Sequence, residues 1–309
     1  MTIMSTHKTI IDLDLLTDFL KENFSDGISS LEPVVGGEAS QAFGFNVGNK
    51  VYIIRVNKHY SLGFKKDQYA YLNFSRYDLA IPKILQIGKI DSEYRYCISE
   101  RAEGLTLNAM TAEAVAELSE PIFDSLDKIH AIDISNYSGY GKWDADAVGV
   151  ASSWNEYLLT VNKYIEATSD KPGLFETSFL DEGLWRHLYS RMVKLLEYCP
   201  KEKFLIHGDY GFGNILVKDR VITGIIDWES SMYGDYLFDI AWLGFWSKRS
   251  DYVQLYLNRS ELKGNQIDNF QERIKCYQLY IGLGALSFYA YSNQEEKYQK
   301  LSDKMINFL

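Results

Sequence analysis

The sequence HGDYGFGN, residues 207–214, constrains the fold of this chain more than any other stretch. Its three glycines make it a poor helix, and apolar runs flank it on both sides. Residues 215–217 and 221–226 read as two short strands on either side of a polar reversal, which predicts a hairpin. Such a hairpin would fold Asp227 back towards Asn214, at one end of a β-ribbon.

Three side chains of this region have the spacing of phosphoryl-transfer enzymes, H-x-D-x-x-x-x-N followed by a later Asp. In that pattern Asp209 would accept the proton of a substrate hydroxyl. Asn214 and Asp227 would hold Mg²⁺, which prefers oxygen ligands from the protein together with phosphate oxygens. The structural alternative is a turn with Asx geometry, followed by an ordinary cap at Asp227. The joint spacing favours the catalytic interpretation.

The N-terminal third contains candidate nucleotide-binding residues. A glycine-rich loop that includes Gly37 and Ser40 lies between two predicted strands, and its N–H groups would cover phosphates. Arg55 stands among β-branched residues on the next strand, where a cation needs a partner, and Asp67 on the following helix is the candidate. The alternatives are a common two-glycine hairpin and an arginine on the surface of an edge strand.

The pattern of apolar residues changes along the chain. Residues 1–103 read as a helix, antiparallel strands and a second helix, whereas residues 104–309 are mostly helical. We therefore expect an α+β fold with a smaller N-terminal lobe and a larger C-terminal lobe. Near their junction, the backbone around Ser99 and Arg101 would hydrogen-bond an adenine edge, unless this is a plain connecting strand. Residues 133–152 read as a long loop or insertion. Apolar spacing predicts helices over residues 11–24, 65–77, 115–129, 154–165, 184–196 and 270–291.

The net charge of the chain limits the classes of molecule that it is expected to bind. It holds 42 Asp and Glu against 32 Lys and Arg, a net charge of −10, which argues against nucleic acid and favours a cationic small molecule. Glu229 and Asp235 are candidate carboxylates for such a substrate, although Asp235 also fits a structural role at a helix start. No apolar run approaches the roughly 20 residues of a membrane span, and no signal peptide or C-x-x-C motif occurs. We therefore expect a cytoplasmic protein with reduced thiols.

These motifs together resemble the aminoglycoside phosphotransferases, small-molecule kinases with a protein-kinase-like fold. The resemblance rests on His207-Gly208-Asp209 with Asn214, on Ile226-Asp227-Trp228, and on the earlier sequences GGEASQAF, YIIRVN and YCISERAEGLTL. It implies a two-lobed enzyme that transfers the γ-phosphoryl group of ATP or GTP, with Mg²⁺, to a hydroxyl of a polyhydroxylated cation. An aminoglycoside antibiotic such as hygromycin B is the implied substrate, with antibiotic resistance as the outcome. We also expect a monomer.

Three other functions stay open from the residues alone. The same chemistry would serve another small alcohol, such as a macrolide. A metal-dependent phosphohydrolase would use the same three oxygen ligands, but it needs no nucleotide clamp of the kind that Arg55 and Asp67 suggest. A pseudokinase would bind nucleotide without turnover, and the complete set of Asp209, Asn214 and Asp227 argues against it.

Overall fold

The structure, a computed structural model, describes residues 9–25, 27–34, 40–58, 62–144, 146–163, 165–166 and 172–308. The chain divides into two compact units. Unit 1 comprises Met1–Pro121 and Phe212–Ser230, and unit 2 comprises Ile122–Gly211 and Ser231–Leu309. The lobe boundary expected between residues 103 and 104 stays a prediction.

The described strands and helices, in chain order, have the following bounds. The strands are β1 (Ser29–Val34), β2 (Gln41–Val47), β3 (Lys50–Asn57), β4 (Ile84–Lys89), β5 (Arg95–Glu100), β6 (Leu105–Thr106), β7 (Tyr140–Trp143), β8 (Gly149–Ala151), β9 (Phe204–Ile206), β10 (Ile215–Lys218), β11 (Val221–Ile225) and β12 (Met232–Gly234). The helices are α1 (Leu13–Asn23), α2 (Leu62–Phe74), α3 (Ala112–Ala116), α4 (Ser119–His130), α5 (Trp154–Leu159), α6 (Leu174–Thr177), α7 (Glu182–Leu195), α8 (Leu237–Trp246), α9 (Tyr252–Leu262), α10 (Phe270–Tyr291) and α11 (Glu295–Ile306).

Unit 1 is built on an antiparallel sheet with the strand order β1-β2-β3-β5-β4. Helix α1 covers this sheet because its buried Leu16 and Leu20 join the same apolar cluster as Phe45 and Ile54 of the strands. Asp12 caps the helix by accepting the N–H groups of the first turn. The predicted N-terminal antiparallel sheet with its helices is confirmed.

The predicted hairpin at residues 215–226 is present in unit 1 as β10 and β11, with Ile215 opposite Ile225. Its turn is made by Asp219 and Arg220, and both adopt positive φ angles, of 50° and 65°. Two such residues in sequence match the turn that best suits the twist of a two-residue hairpin. The short strand β6 pairs with the other edge of β10.

Unit 2 is mostly helical, as predicted for the C-terminal part of the chain, and α10 packs against α7, α8 and α11. It also contains a small sheet in the order β8-β7-β12-β9. The interpretation of residues 133–152 as a long loop is therefore wrong, since β7 and β8 form a hairpin there. Glycine is the reason that the sequence does not predict this hairpin. A Cβ at Gly139 would lie 2.2 Å from the carbonyl oxygen of Gly149, so the close approach of the two chain segments requires glycine, which weakens the sequence pattern of a strand.

The predicted helices are present with shifted bounds. The range 115–129 is divided between α3 and α4, with Pro121 in the first turn of α4, where proline is tolerated. Helix α5 ends at Leu159 and continues only as a 3₁₀ turn to Asn162. Within the described ranges, no helix is long and apolar enough to cross a membrane.

Candidate active site

The hairpin of unit 1 carries Asn214 and Asp227 at its open end. Asn214 directly precedes β10, Asp227 follows β11 by two residues, and the N–H of Ile226 donates to the carbonyl oxygen of Asn214 at 3.0 Å. Asp227 has a φ angle of 66°, a left-handed conformation that a non-glycine residue adopts only at a cost. The local fold therefore places these two residues side by side, as the sequence predicts.

The donor set of Asn214 and Asp227 fits a hard cation. One amide oxygen and one carboxylate are the ligand types that Mg²⁺ takes from proteins that also bind phosphates. A group of three or more His, Cys, Asp or Glu side chains suited to a metal occurs nowhere in the part of the chain that the structure describes. The pair on the hairpin therefore remains the candidate, with its metal role a proposal.

Arg55 on β3 forms the predicted ion pair with Asp67 on α2. Its guanidinium also lies 5.2 Å from the centre of the Phe64 ring and 3.8 Å from the sulfur of Cys97. Burial alone would lower the pKa of Arg55, but the Asp67 carboxylate, Cys97 and the Asp227 carboxylate together raise it above the usual value. The side chain is thus a permanent cation, held by one carboxylate within the electrostatic reach of a second.

Asp67 has a second contact that links α2 to the segment after Asp227. Its Oδ1 accepts the backbone N–H of Trp228 at 2.8 Å, while its other oxygen faces Arg55. The Trp228 indole is buried and donates to the carbonyl oxygen of Ile225 at 3.1 Å. A single buried carboxylate therefore fixes both the cation on β3 and the backbone next to the candidate metal ligand.

The remaining candidates of unit 1 have less specific surroundings. Gly37 lies outside the described residues. The hydroxyl of Ser40 accepts a hydrogen bond from the Asn57 amide at 3.2 Å, and Ser99 lies within β5 with 9% of its surface exposed. The Arg101 guanidinium extends to β2, where its Nη1 lies 3.2 Å from the position that a Cβ at residue 44 would occupy. Their nucleotide-binding roles stay predictions.

Glu229 is exposed and lies against the first turn of α2. A Cβ at Gly63 would lie 2.7 Å from its Oε2, so the glycine leaves the space that the carboxylate occupies. The Glu229 carboxylate thus lies beside α2, two residues after Asp227 in the chain. Its substrate contact stays a proposal.

Asp209 belongs to the part of the turn that lies in unit 2. It is half-buried, its N–H donates to Nδ1 of His207 at 3.3 Å, and its carbonyl oxygen accepts the N–H of Gly211 at 2.8 Å. Gly208 just before it has a φ angle of 77°. The turn is tight because a glycine takes the left-handed position that other residues avoid.

A buried carboxylate on α8 binds the backbone of this turn. Asp239 is 0% exposed, and its two oxygens accept the backbone N–H groups of His207 at 2.9 Å and Gly208 at 2.8 Å. Nε2 of His130 lies 3.0 Å from the same carboxylate. The backbone that leads into Asp209 is therefore anchored by charge-assisted hydrogen bonds, which are about twice as strong as neutral ones.

Asp235 is also 0% exposed, and Arg273 on α10 occupies its carboxylate with two contacts, at 2.6 and 2.8 Å. The same carboxylate accepts the N–H of Leu237 and the hydroxyl of Tyr277. All of these partners are protein groups, so the geometry favours the structural interpretation of Asp235 over substrate binding.

The sequence matches the model of a phosphotransferase enzyme family over residues 30–269. The chain belongs to this family. It is also 31% identical to the hygromycin-B 4-O-kinase of Escherichia coli over 271 residues, which cover 87% of this chain and 76% of that protein. The predicted membership among small-molecule phosphotransferases is thereby confirmed.

Solved structures have the same fold. A thermostable mutant of the aminoglycoside phosphotransferase APH(4)-Ia, in a ternary complex with AMP-PNP and hygromycin B, matches with a TM-score of 0.83 and 28% identity, over 95% of this chain and 97% of that chain. A putative fructosamine-3-kinase from Haemophilus somnus matches with a TM-score of 0.64 at 16% identity, over 94% and 96% of the two chains, a likeness of fold alone. The predicted α+β, protein-kinase-like fold is confirmed.

Two supporting residues of this phosphotransferase were not identified from the sequence. His130 has no metal-ligand spacing in the sequence, and nothing in its neighbourhood signals a partner 109 residues away. Arg273 lies within the continuous helical pattern of α10, 38 residues after Asp235. An arginine on an otherwise apolar helix face is the signal that would have identified it, because a buried cation requires an acidic partner.

Proposed function

We propose that this phosphotransferase transfers the γ-phosphoryl group of ATP to a hydroxyl of an aminoglycoside antibiotic of the hygromycin B type, and so confers resistance to it. The observation that carries the proposal is the likeness, at 28% identity over nearly the whole chain, to an enzyme in complex with AMP-PNP and hygromycin B. The intact Asp209, Asn214 and Asp227 set supports turnover rather than binding alone.

Each side chain has a definite task in the proposed reaction. Asp209 orients the acceptor hydroxyl and takes its proton as the oxygen attacks the γ-phosphorus, while the bond from that phosphorus to the β,γ-bridging oxygen breaks and ADP leaves. Asn214 and Asp227 would hold Mg²⁺, which when bound neutralises phosphate charge. Arg55, aligned by Asp67, binds phosphate oxygens through its planar guanidinium.

The nucleotide and the acceptor would be held by different residues. Gly37 and Ser40 would cover the phosphates, and the backbone near Ser99 and Arg101 would bind the base of ATP or GTP. Glu229 is our candidate for a cationic acceptor, since it lies two residues after Asp227 and the net charge of −10 favours cations. Asp235 is not included, because Arg273 holds it.

The test is transfer of labelled phosphate from ATP to a panel of acceptors that includes hygromycin B, other aminoglycosides and a macrolide, with mapping of the modified hydroxyl. We expect phosphorylated hygromycin B, and a loss of about 10²–10⁴-fold in kcat for Asp209→Asn with the fold intact. If the enzyme preferred the macrolide, the proposed aminoglycoside substrate would be wrong and a macrolide would take its place. Free phosphate without product would indicate a hydrolase, and nucleotide binding without turnover a pseudokinase.

The expected cytoplasmic location and monomeric state stay predictions. Fractionation of expressing cells and light scattering of the purified protein test them independently of the activity.

A further inference from the structure

Two of the three cysteines meet in unit 2, and neither has a part in the proposed reaction. Cys199 directly follows the C-terminal 3₁₀ turn of α7, and Cys276 lies in α10. Their sulfurs are 3.8 Å apart, although 77 residues separate them in the chain. A disulfide needs an S–S distance of about 2.05 Å, so closure requires only about 1.8 Å of further approach.

The two thiols differ in solvent exposure and in pKa, and redox-active cysteine pairs commonly differ in the same two ways. Cys199 is partly exposed, whereas Cys276 is buried. The hydrogen bond between them lowers the pKa of Cys199, against the opposing effect of burial, and together with burial it raises the pKa of Cys276. The accessible sulfur therefore has the larger thiolate fraction, and the buried sulfur, 3.8 Å away, is placed to resolve what forms on it.

We propose that Cys199 and Cys276 form a modification site at which a hydroperoxide converts two thiols into an intramolecular disulfide. The Cys199 thiolate attacks one peroxide oxygen, the O–O bond breaks, and the remaining oxygen leaves as water or alcohol while the sulfur becomes a sulfenic acid. The sulfur of Cys276 then attacks the sulfenic sulfur, the S–S bond forms, and the hydroxyl departs as water with the thiol proton. The thiols lose two electrons and two protons in total, and the peroxide is reduced.

The bond would stabilise unit 2 because of where its ends lie. It closes a loop from residue 199 to residue 276, and a loop of this length gives a large loss of entropy in the unfolded chain. On α10, Cys276 lies between Arg273 and Tyr277, which both hold the buried Asp235. The disulfide would therefore stabilise the part of α10 that binds Asp235.

The test treats the full-length protein with hydrogen peroxide, removes the excess, and counts free thiols in denaturant. The chain has three cysteines, so we expect the count to fall from three to one, with a mass loss of two hydrogens and a reducible peptide that joins Cys199 to Cys276. The midpoint of thermal unfolding should rise by about 5–10 °C and return on reduction.

Cys97 provides the matched control, since it is 1% exposed and lies in unit 1. Cys97→Ser should go from two thiols to none, whereas Cys199→Ser and Cys276→Ser should form no cross-link. Three thiols retained in the wild-type chain, a cross-link that includes Cys97, or a disulfide between two chains would each overturn the proposal. The wild-type result alone is decisive if a variant fails to fold.

Discussion

Asp239→Asn tests whether the backbone beside Asp209 is held by one carboxylate. In the wild-type protein both oxygens of Asp239 accept backbone N–H groups, from His207 and Gly208. An asparagine keeps the size of the side chain but replaces one acceptor by an NH₂ group. One of the two amides then faces a donor in a site that is 0% exposed.

The magnitude follows from those contacts. Loss of a hydrogen bond to a charged group costs about 1.5–3 kcal/mol of the free energy of unfolding. The turn would relax away from the unpaired amide, and a displacement of about 1 Å at a catalytic group costs on the order of 10²-fold in rate. We therefore expect kcat to fall by about 10²-fold, with little change in the KM for ATP, because the residues proposed to hold ATP lie elsewhere in the chain.

The matched control is Asp235→Asn, four residues earlier and equally buried. That change breaks the buried pair with Arg273, for which about 3–5 kcal/mol is typical. Urea unfolding should therefore rank Asp235→Asn as the less stable variant, while steady-state kinetics at a temperature where both are folded should rank Asp239→Asn as the slower enzyme. If kcat simply follows stability across the two variants, the positioning role of Asp239 is refuted.

Three further predictions concern the residues of unit 1. Asp227→Ala should abolish Mg²⁺-dependent nucleotide binding and Asn214→Ala should weaken it less, because only the former removes charge; calorimetry with and without Mg²⁺ checks this, and unchanged affinity in both variants would remove the metal assignment. Arg55→Lys should lower activity and recover part of it with Asp67→Glu, since the shorter cation then meets a longer acid; a double-mutant cycle without coupling would contradict the pairing. Glu229→Gln should raise the KM for a cationic acceptor and reduce the dependence of that KM on salt, and a KM that is flat with ionic strength in the wild type would count against a cationic substrate.

The parts of the site that are local in sequence could be predicted. Asn214 and Asp227 are joined by a hairpin whose turn and apolar runs lie within the 12 residues from 215 to 226, so their proximity follows from strand register alone. Arg55 and Asp67 are 12 residues apart on a strand and the next helix, and the cost of an unpaired cation on a sheet indicates the partner.

The parts that depend on distant contacts could not be predicted. His130 and Asp239 meet across 109 residues, and Asp235 and Arg273 meet only because α8 and α10 pack together. The spacing of apolar residues predicts each helix, but it does not indicate which helices pack against each other. The hairpin of β7 and β8 could not be predicted for a different reason, since its strands are short and contain the glycines that their close approach requires.

One device occurs in both units. In unit 1 the buried Asp67 accepts the N–H of Trp228, next to Asp227, and in unit 2 the buried Asp239 accepts the N–H groups of His207 and Gly208, before Asp209. A carboxylate that accepts backbone N–H groups fixes the main chain on which the neighbouring acid stands. It also satisfies amides that would otherwise be buried without partners in a tight turn. In each unit a buried acid thus orients the backbone beside one of the acids proposed for the reaction, Asp227 in unit 1 and Asp209 in unit 2.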